Sequence, residues 1–438
     1  MQASDSIQNS SYAELKRRLL FVFFGLVIFR VGGHIPVPGV DLARLAGIFK
    51  QNQDGLLGMF NMFSGGALSR LSVFSLSLMP YISASIIMQL MSLSIPSLEA
   101  LRKEGARGNK KISQYTRYLT VCLALFQSVG MAKMLISQGL VLSIGPRFYL
   151  IAAVSLTTGT LFLMWLGEQI TEKGIGNGIS LLIFAGIVSR LPAAFIQLMQ
   201  QAKQGQMNVV SLFFVLSFIV AITLLVVFIE RGQRKIAIQH PKRHQARAGQ
   251  NNSGGVLPLK INMAGVIPPI FASAIILFPA SLAGMIPQSA NFRWLGNFVS
   301  LLSPGQPLYI LLYISAIVFF CFFYTALVFN PNDIADNLKK SGALIPGIRP
   351  GRQTSDFVDK VMTRLTLSGS VYLSVVALTP DLLVRAWHVP FYFGGTSLLI
   401  VVVVVMDFMA QLQSHLIPER YASMIKKAGH SRKVSLLR

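Results

Sequence analysis

Hydrophobic positions in this chain come in long runs parted by short charged loops. A helix needs about 20 apolar residues to cross the hydrocarbon of a bilayer. Ten runs meet that length, near 19–37, 71–94, 114–137, 147–170, 176–199, 209–229, 263–286, 307–330, 363–381 and 393–413. One more apolar stretch, "MFNMFSGGALSR" from Met59 to Arg70, is too short to span and stands directly before the second run. Gly65 and Gly66 interrupt it, and each costs a helix about 1 kcal/mol relative to alanine. Backbone of this kind is tolerated at membrane depth only where protein or a water-filled cavity surrounds it.

The runs carry a repeat. "PYISASII" (Pro80 to Ile87) lies in the second and "PPIFASAI" (Pro268 to Ile275) in the seventh, and both read Pro-x-Ile-x-Ala-Ser-x-Ile. The two spans are offset by five, an odd number, so equivalent spans cross in opposite directions. That is the arrangement of inverted-repeat membrane proteins, whose pathway lies at the repeat interface. Pro80 and Pro268 are expected to kink their helices. The kinks serve either as ordinary packing devices or as the flanks of a pathway.

Charge orients the spans. Of 438 residues only 13% are charged and 53% are hydrophobic, against about 25% charged in soluble domains. The formal charge of +23 comes from 39 Lys and Arg against 16 Asp and Glu. Such an excess suits anionic lipids, nucleic acid or acidic partners. The basic residues cluster in the N-terminus, in alternate loops (notably 230–260 and 331–362) and in the C-terminal tail. The intervening loops hold few basic residues, among them Arg44, Lys50, Lys203, Arg293 and Arg385. The positive-inside rule then places both termini in the cytoplasm. The expected divisions are a cytoplasmic N-terminus (1–18), an N-terminal half (19–200), a C-terminal half (201–413) and a cytoplasmic tail (414–438).

Chemistry-bearing constellations are sparse. There is no GxxxxGK[ST] loop, and "GIGNGIS" at 174–180 reads as a tight cytoplasmic turn. The six histidines have no metal-ligand spacing, and Cys122 and Cys321 lie inside apolar runs. No cofactor, metal or catalytic residue is expected. Of intramembrane acids, which mark ion-coupled transporters, only Asp407 qualifies. Arg117 is expected to snorkel to head groups. Arg30 and Arg190 lie deeper, at a nominal cost of about 2.5–3.5 kcal/mol each, and are expected to face protein or water.

The motifs "FNMFSGGALSR", "MPYISASIIMQL", "KISQYTRY", "GEQITEKGIGNGIS", "NMAGVIP", "ALVFNPNDIADNLKKSGALIPGIRPG" and "VPFYFGGTSLLIVVVVVMDFMAQ" together resemble the SecY family, central subunits of bacterial protein-conducting channels. The resemblance implies an all-α polytopic membrane protein with ten transmembrane helices in two inverted five-helix halves. It also implies a short re-entrant plug helix near 57–70. The plug would be Phe60, Asn61, Met62, Phe63, Ser64, Gly65, Gly66 and Leu68. An aliphatic constriction gating by dewetting would be Leu78, Ile82, Ile179, Ile183, Ile270 and Ile400. A lateral gate opening to lipid would carry Ser83, Gln127 and Asn262. Lys242, Arg243, Arg247, Lys339, Lys340 and Arg349 would contact cytoplasmic partners. The partners implied are SecE and SecG subunits, the SecA motor, the ribosome through its RNA, signal sequences and nascent chains, and anionic lipids. A small-solute secondary transporter is the competing reading, distinguished by paired carboxylates in place of aliphatic rings.

Overall fold

The computed structural model describes residues 2–51, 58, 61, 64–142, 145–205, 209–239, 255–283, 306–387, 396–414 and 416. The chain separates into two compact units, one built on Met1–Phe195, the other on Ile196–Ile276 and Asn297–Val403. The first contains α1 (Gln2–Gly32), α2 (Leu42–Gln51), a 3-10 turn (Leu68–Arg70), α3 (Met79–Ser94), α4 (Pro96–Lys103), α5 (Ala106–Ser137), α6 (Pro146–Lys173) and α7 (Gly178–Val188). Helix α8 (Leu191–Lys203) leads onward to α9 (Val209–Arg231), strands β1 (Gln233–Ile238) and β2 (Gly255–Lys260), α10 (Ile267–Ala283), α11 (Pro307–Val328), α12 (Pro331–Lys340) and α13 (Arg352–Trp387). Helix α14 (Thr396–Ser414) follows.

Helices stand at all ten expected span positions. Among the described residues seven are long and apolar enough to cross a membrane, and α3 with α4 makes an eighth if the bent pair counts as one span. That pair turns by 97° at Ile95, which is extended (φ −104°, ψ 115°). Pro96 disfavours helical geometry in the residue before it and starts α4. Membrane-type surfaces are plain on α9, where Phe228 is 81% exposed.

Two expectations about the repeat need correction. The second span is helical only from Met79, because residues 71–78 are turns. Neither matched proline kinks a helix. Pro80 is the second residue of α3 and Pro268 the second of α10. At that position the missing N–H is one the helix would leave unpaired in any case. The repeat therefore marks equivalent helix starts, and Ile82 and Ile270 are each the fourth residue of their helix.

The "GIGNGIS" turn behaves as expected. Gly176 has φ +91°, and the Asn177 side chain accepts from the backbone N–H groups of Ile179 and Ser180, capping α7. The basic loop after α9 carries a hairpin. β1 and β2 pair antiparallel with Ile236 opposite Leu257. Ile236 and Ile238 are buried while Arg234, Lys235 and Ala237 are exposed, the alternation that fixes a register. Ile236 joins Leu259, Ile345, Val358 and Met362 in one apolar cluster.

Candidate functional site

The short apolar segment ends in two successive helix-closing turns. The Gly66 N–H donates to the Asn61 carbonyl at 2.9 Å, and Gly65 and Gly66 have φ of +65° and +87°. This six-to-one bond after a left-handed residue is the signature of a Schellman close. The pattern recurs at once. Leu71 donates to Leu68 (3.0 Å), Ser72 donates to Ala67 (2.9 Å), and Leu71 takes the left-handed position with φ +40°. The two glycines thus terminate a helical turn, where the sequence suggested that they weaken one. Left-handed geometry is where glycine has no steric cost.

Serines close the polar accounts of this buried loop. Ser64 Oγ accepts from the Leu68 N–H, Asn61 Oδ1 accepts from the Ser69 N–H, and Ser75 Oγ donates to the Ala67 carbonyl. Val37 donates to the Leu71 carbonyl and Val73 to the Ile35 carbonyl, tying the loop to the segment after α1. Asn61, Ser64, Leu68 and Leu71 are all buried. Phe74 stacks between Phe29 and Phe162, with centroids at 6.3 and 5.9 Å, and lies where a Cβ on Gly32 would go. Of the expected plug residues Phe60, Met62 and Phe63 lie outside the described residues.

Leu78 precedes α3 and Ile82 closes its first turn, donating to the Leu78 carbonyl at 2.9 Å. Ile179 and Ile183 occupy the first two turns of α7. Leu78, Ile82, Ile183, Ile270 and Ile400 are buried, and Ile179 is half-buried. Ser83 and Gln127 are buried on α3 and α5, helices that pack together in the first unit. Asn262 belongs to the second unit, where its amide is committed locally. Nδ2 donates to Glu230 Oε1 at 2.6 Å and to the Gly265 carbonyl at 3.2 Å, while Oδ1 accepts from the Gly265 N–H at 3.1 Å.

The basic residues that can be placed sit on a shared platform of the second unit. Asn330 caps α12, whose last turn carries Lys339 and Lys340, where cations suit the helix dipole. Arg349 is exposed between Gly347 (φ +80°) and Gly351 (φ +109°), and its carbonyl accepts from Thr354 Oγ1 at 3.0 Å. Gln239 and Leu344 exchange two 2.8 Å backbone bonds, joining this loop to the end of β1. Lys242, Arg243 and Arg247 lie outside the described residues. No group of three or more potential metal ligands occurs among the described residues.

The family model described as SecY matches residues 72–409. A protein translocase subunit SecY of Pseudomonas aeruginosa is 57% identical over 98% of this chain and 97% of its own length. The chain belongs to the SecY family. Solved structures agree on the fold. A SecY channel, described as having a plug domain that stabilises the closed state and maintains a membrane seal, superposes with TM-score 0.67 at 21% identity, over 92% of this chain and 93% of that one. Canine Sec61 in a ribosome–channel complex gives 0.61 at 20% identity over the same shares.

Several contacts in this SecY-family chain escaped the linear reading. Arg117 does not snorkel freely: its Nε and Nη2 meet Glu168 Oε1 and Oε2, each at 2.9 Å. Glu230 is buried and supports Asn262 from 32 residues away. Exposed Arg234 and Lys235 stand on the hairpin, adding to the basic platform. Arg30 Nη1 donates to the Gly65 carbonyl at 3.4 Å, so this deep arginine does face protein. A signal was present for the hairpin, in the alternation of "QRKIAI"; the long-range pairs left none.

Proposed function

We propose that this chain is the channel subunit of a protein translocase in the bacterial cytoplasmic membrane, multi-pass, with both termini cytoplasmic. It conducts unfolded secretory polypeptides across the membrane and releases hydrophobic segments sideways into lipid. The observation that carries this reading is similarity to a translocase subunit over nearly the full length of both chains. Leu78, Ile82, Ile179, Ile183, Ile270 and Ile400 form its constriction. Small apolar pores exclude water and ions by dewetting, while a polypeptide can push between flexible side chains. Residues 57–70 are the plug beneath it. Ser83, Gln127 and Asn262 line the lateral gate. Lys339, Lys340 and Arg349 offer cations to ribosomal RNA phosphates or to acidic groups of the SecA motor, with SecE and SecG as companion subunits. Energy comes from those partners.

The test is a photo-crosslinker at Ile82, Ile183 or Ile400 with a secretory chain stalled in transit. Adducts to the stalled chain are expected at all three positions. Crosslinks to lipid alone would overturn the assignment.

A further inference from the structure

We infer that Arg190 is a positioning residue of the plug: together with Gly186 it forms a seat at the C-terminal end of α7 that holds the double-glycine end of the segment in its resting place. The inference rests on the plug reading of residues 57–70 and deepens it.

The geometry is local to the first unit. A Cβ on Gly65 would lie 2.8 Å from the Gly186 Cα, so these two backbones touch. A Cβ on Gly66 would lie 3.0 Å from Arg190 Nε and 3.1 Å from Nη2. The guanidinium therefore covers Gly66 and occupies the space a side chain there would need. Gly186 lies in the last turn of α7 and Arg190 two residues past its end. Ile179, Ile183 and Gly186 share one face of α7, since the spacing 0, 4 and 7 keeps the three within about 60° of arc. One stripe of α7 thus presents two constriction isoleucines, then the plug's footing.

Electrostatics point the same way. The glycines follow the C-terminus of a helical turn, whose carbonyl end carries partial negative charge and favours cations. Arg190 supplies one cation at that end. Arg30 supplies a second from α1, through its long bond to the Gly65 carbonyl. A deep arginine is costly in a membrane span, and here its guanidinium lies against Gly66, a contact that is lost when the segment moves away. Arg190 is thereby a restoring contact for closure.

The experiment measures resting ion conductance of the assembled translocase in planar bilayers without substrate. Arg190→Met should raise it about fivefold, the change that roughly 1 kcal/mol makes in a two-state ratio, while Arg190→Lys should recover most of the seal. Gly66→Ala should leak in the Arg190 background, and less so with Arg190→Lys, whose slimmer head leaves room for the methyl. Left-handed backbone strain alone would give equal leaks in both backgrounds and would overturn the seat. Deletion of residues 60–70 separates the two layers of reasoning. If the deletion leaks and Arg190→Met does not, the seat is wrong and the plug stands. If the deletion itself stays tight, the plug reading falls and the seat with it.

Discussion

Replacing Asn262 with alanine separates two roles for a buried amide. As a polar residue bonding between helices in a gate, it would contribute about 0.6 kcal/mol, the typical value for such bonds in membranes. The structure assigns it more. Its Nδ2 bond to the buried Glu230 carboxyl is 2.6 Å long, and hydrogen bonds to charged groups carry about 1.5–3 kcal/mol. Two further bonds to the Gly265 backbone, at 3.2 and 3.1 Å, add about 0.5–1.5 kcal/mol each. Asn262→Ala should therefore destabilise the second unit by about 2.5–6 kcal/mol. Because Gly265 stands two residues before α10, the start of that helix, and Ile270 with it, should lose definition. Glu230→Gln keeps an acceptor facing the amide and should cost only about 1 kcal/mol. Reversible denaturant titration in mixed micelles reads both variants, alongside precursor export in vesicles. A loss below about 1 kcal/mol for Asn262→Ala, or a larger loss for Glu230→Gln than for Asn262→Ala, would refute the brace.

Gly32→Ala should cost about 1–3 kcal/mol through overpacking, because the methyl would enter the Phe74 ring, which two flanking rings hold in place. The neighbouring Gly33→Ala meets only ordinary contacts and should stay within about 0.5 kcal/mol; equal melting shifts for the two would contradict this packing. Lys103 lies 2.7 Å from Glu99, and its hydrogen bond and charge hold the Glu99 carboxyl below the ordinary carboxylate range. A depressed carboxyl contributes stability above its unfolded value that disappears as pH falls through the folded one. Lys103→Met should move the Glu99 titration upward by carboxyl carbon NMR, and an unmoved curve would disprove the pairing. Arg349→Glu should weaken ribosome binding and flatten its salt dependence by about one phosphate contact; an unchanged slope would place the contact elsewhere.

The spans were legible because apolar length is a property of the chain itself, requiring no partner. The platform was partly legible, since Asn330 before Pro331 and Lys339–Lys340 ten residues later mark the two ends of α12. Pro80 was misread because a proline kinks or starts a helix according to where that helix begins. That point is set by the turns at Leu71 and Ser77, both at positive φ, for which neither side chain gives notice. Arg117 with Glu168, and Asn262 with Glu230, depend on which helices become neighbours, information that exists only after folding.

The proline-led helix starts have a bearing on how the proposed constriction residues keep their register. Ile82 and Ile270 each stand two residues after a proline at the second position of their helix. One residue inserted between Pro80 and Ile82 would swing the isoleucine by about 100° around the helix and remove it from its register. The helix start thus acts as a ruler whose zero mark travels with the residues it places.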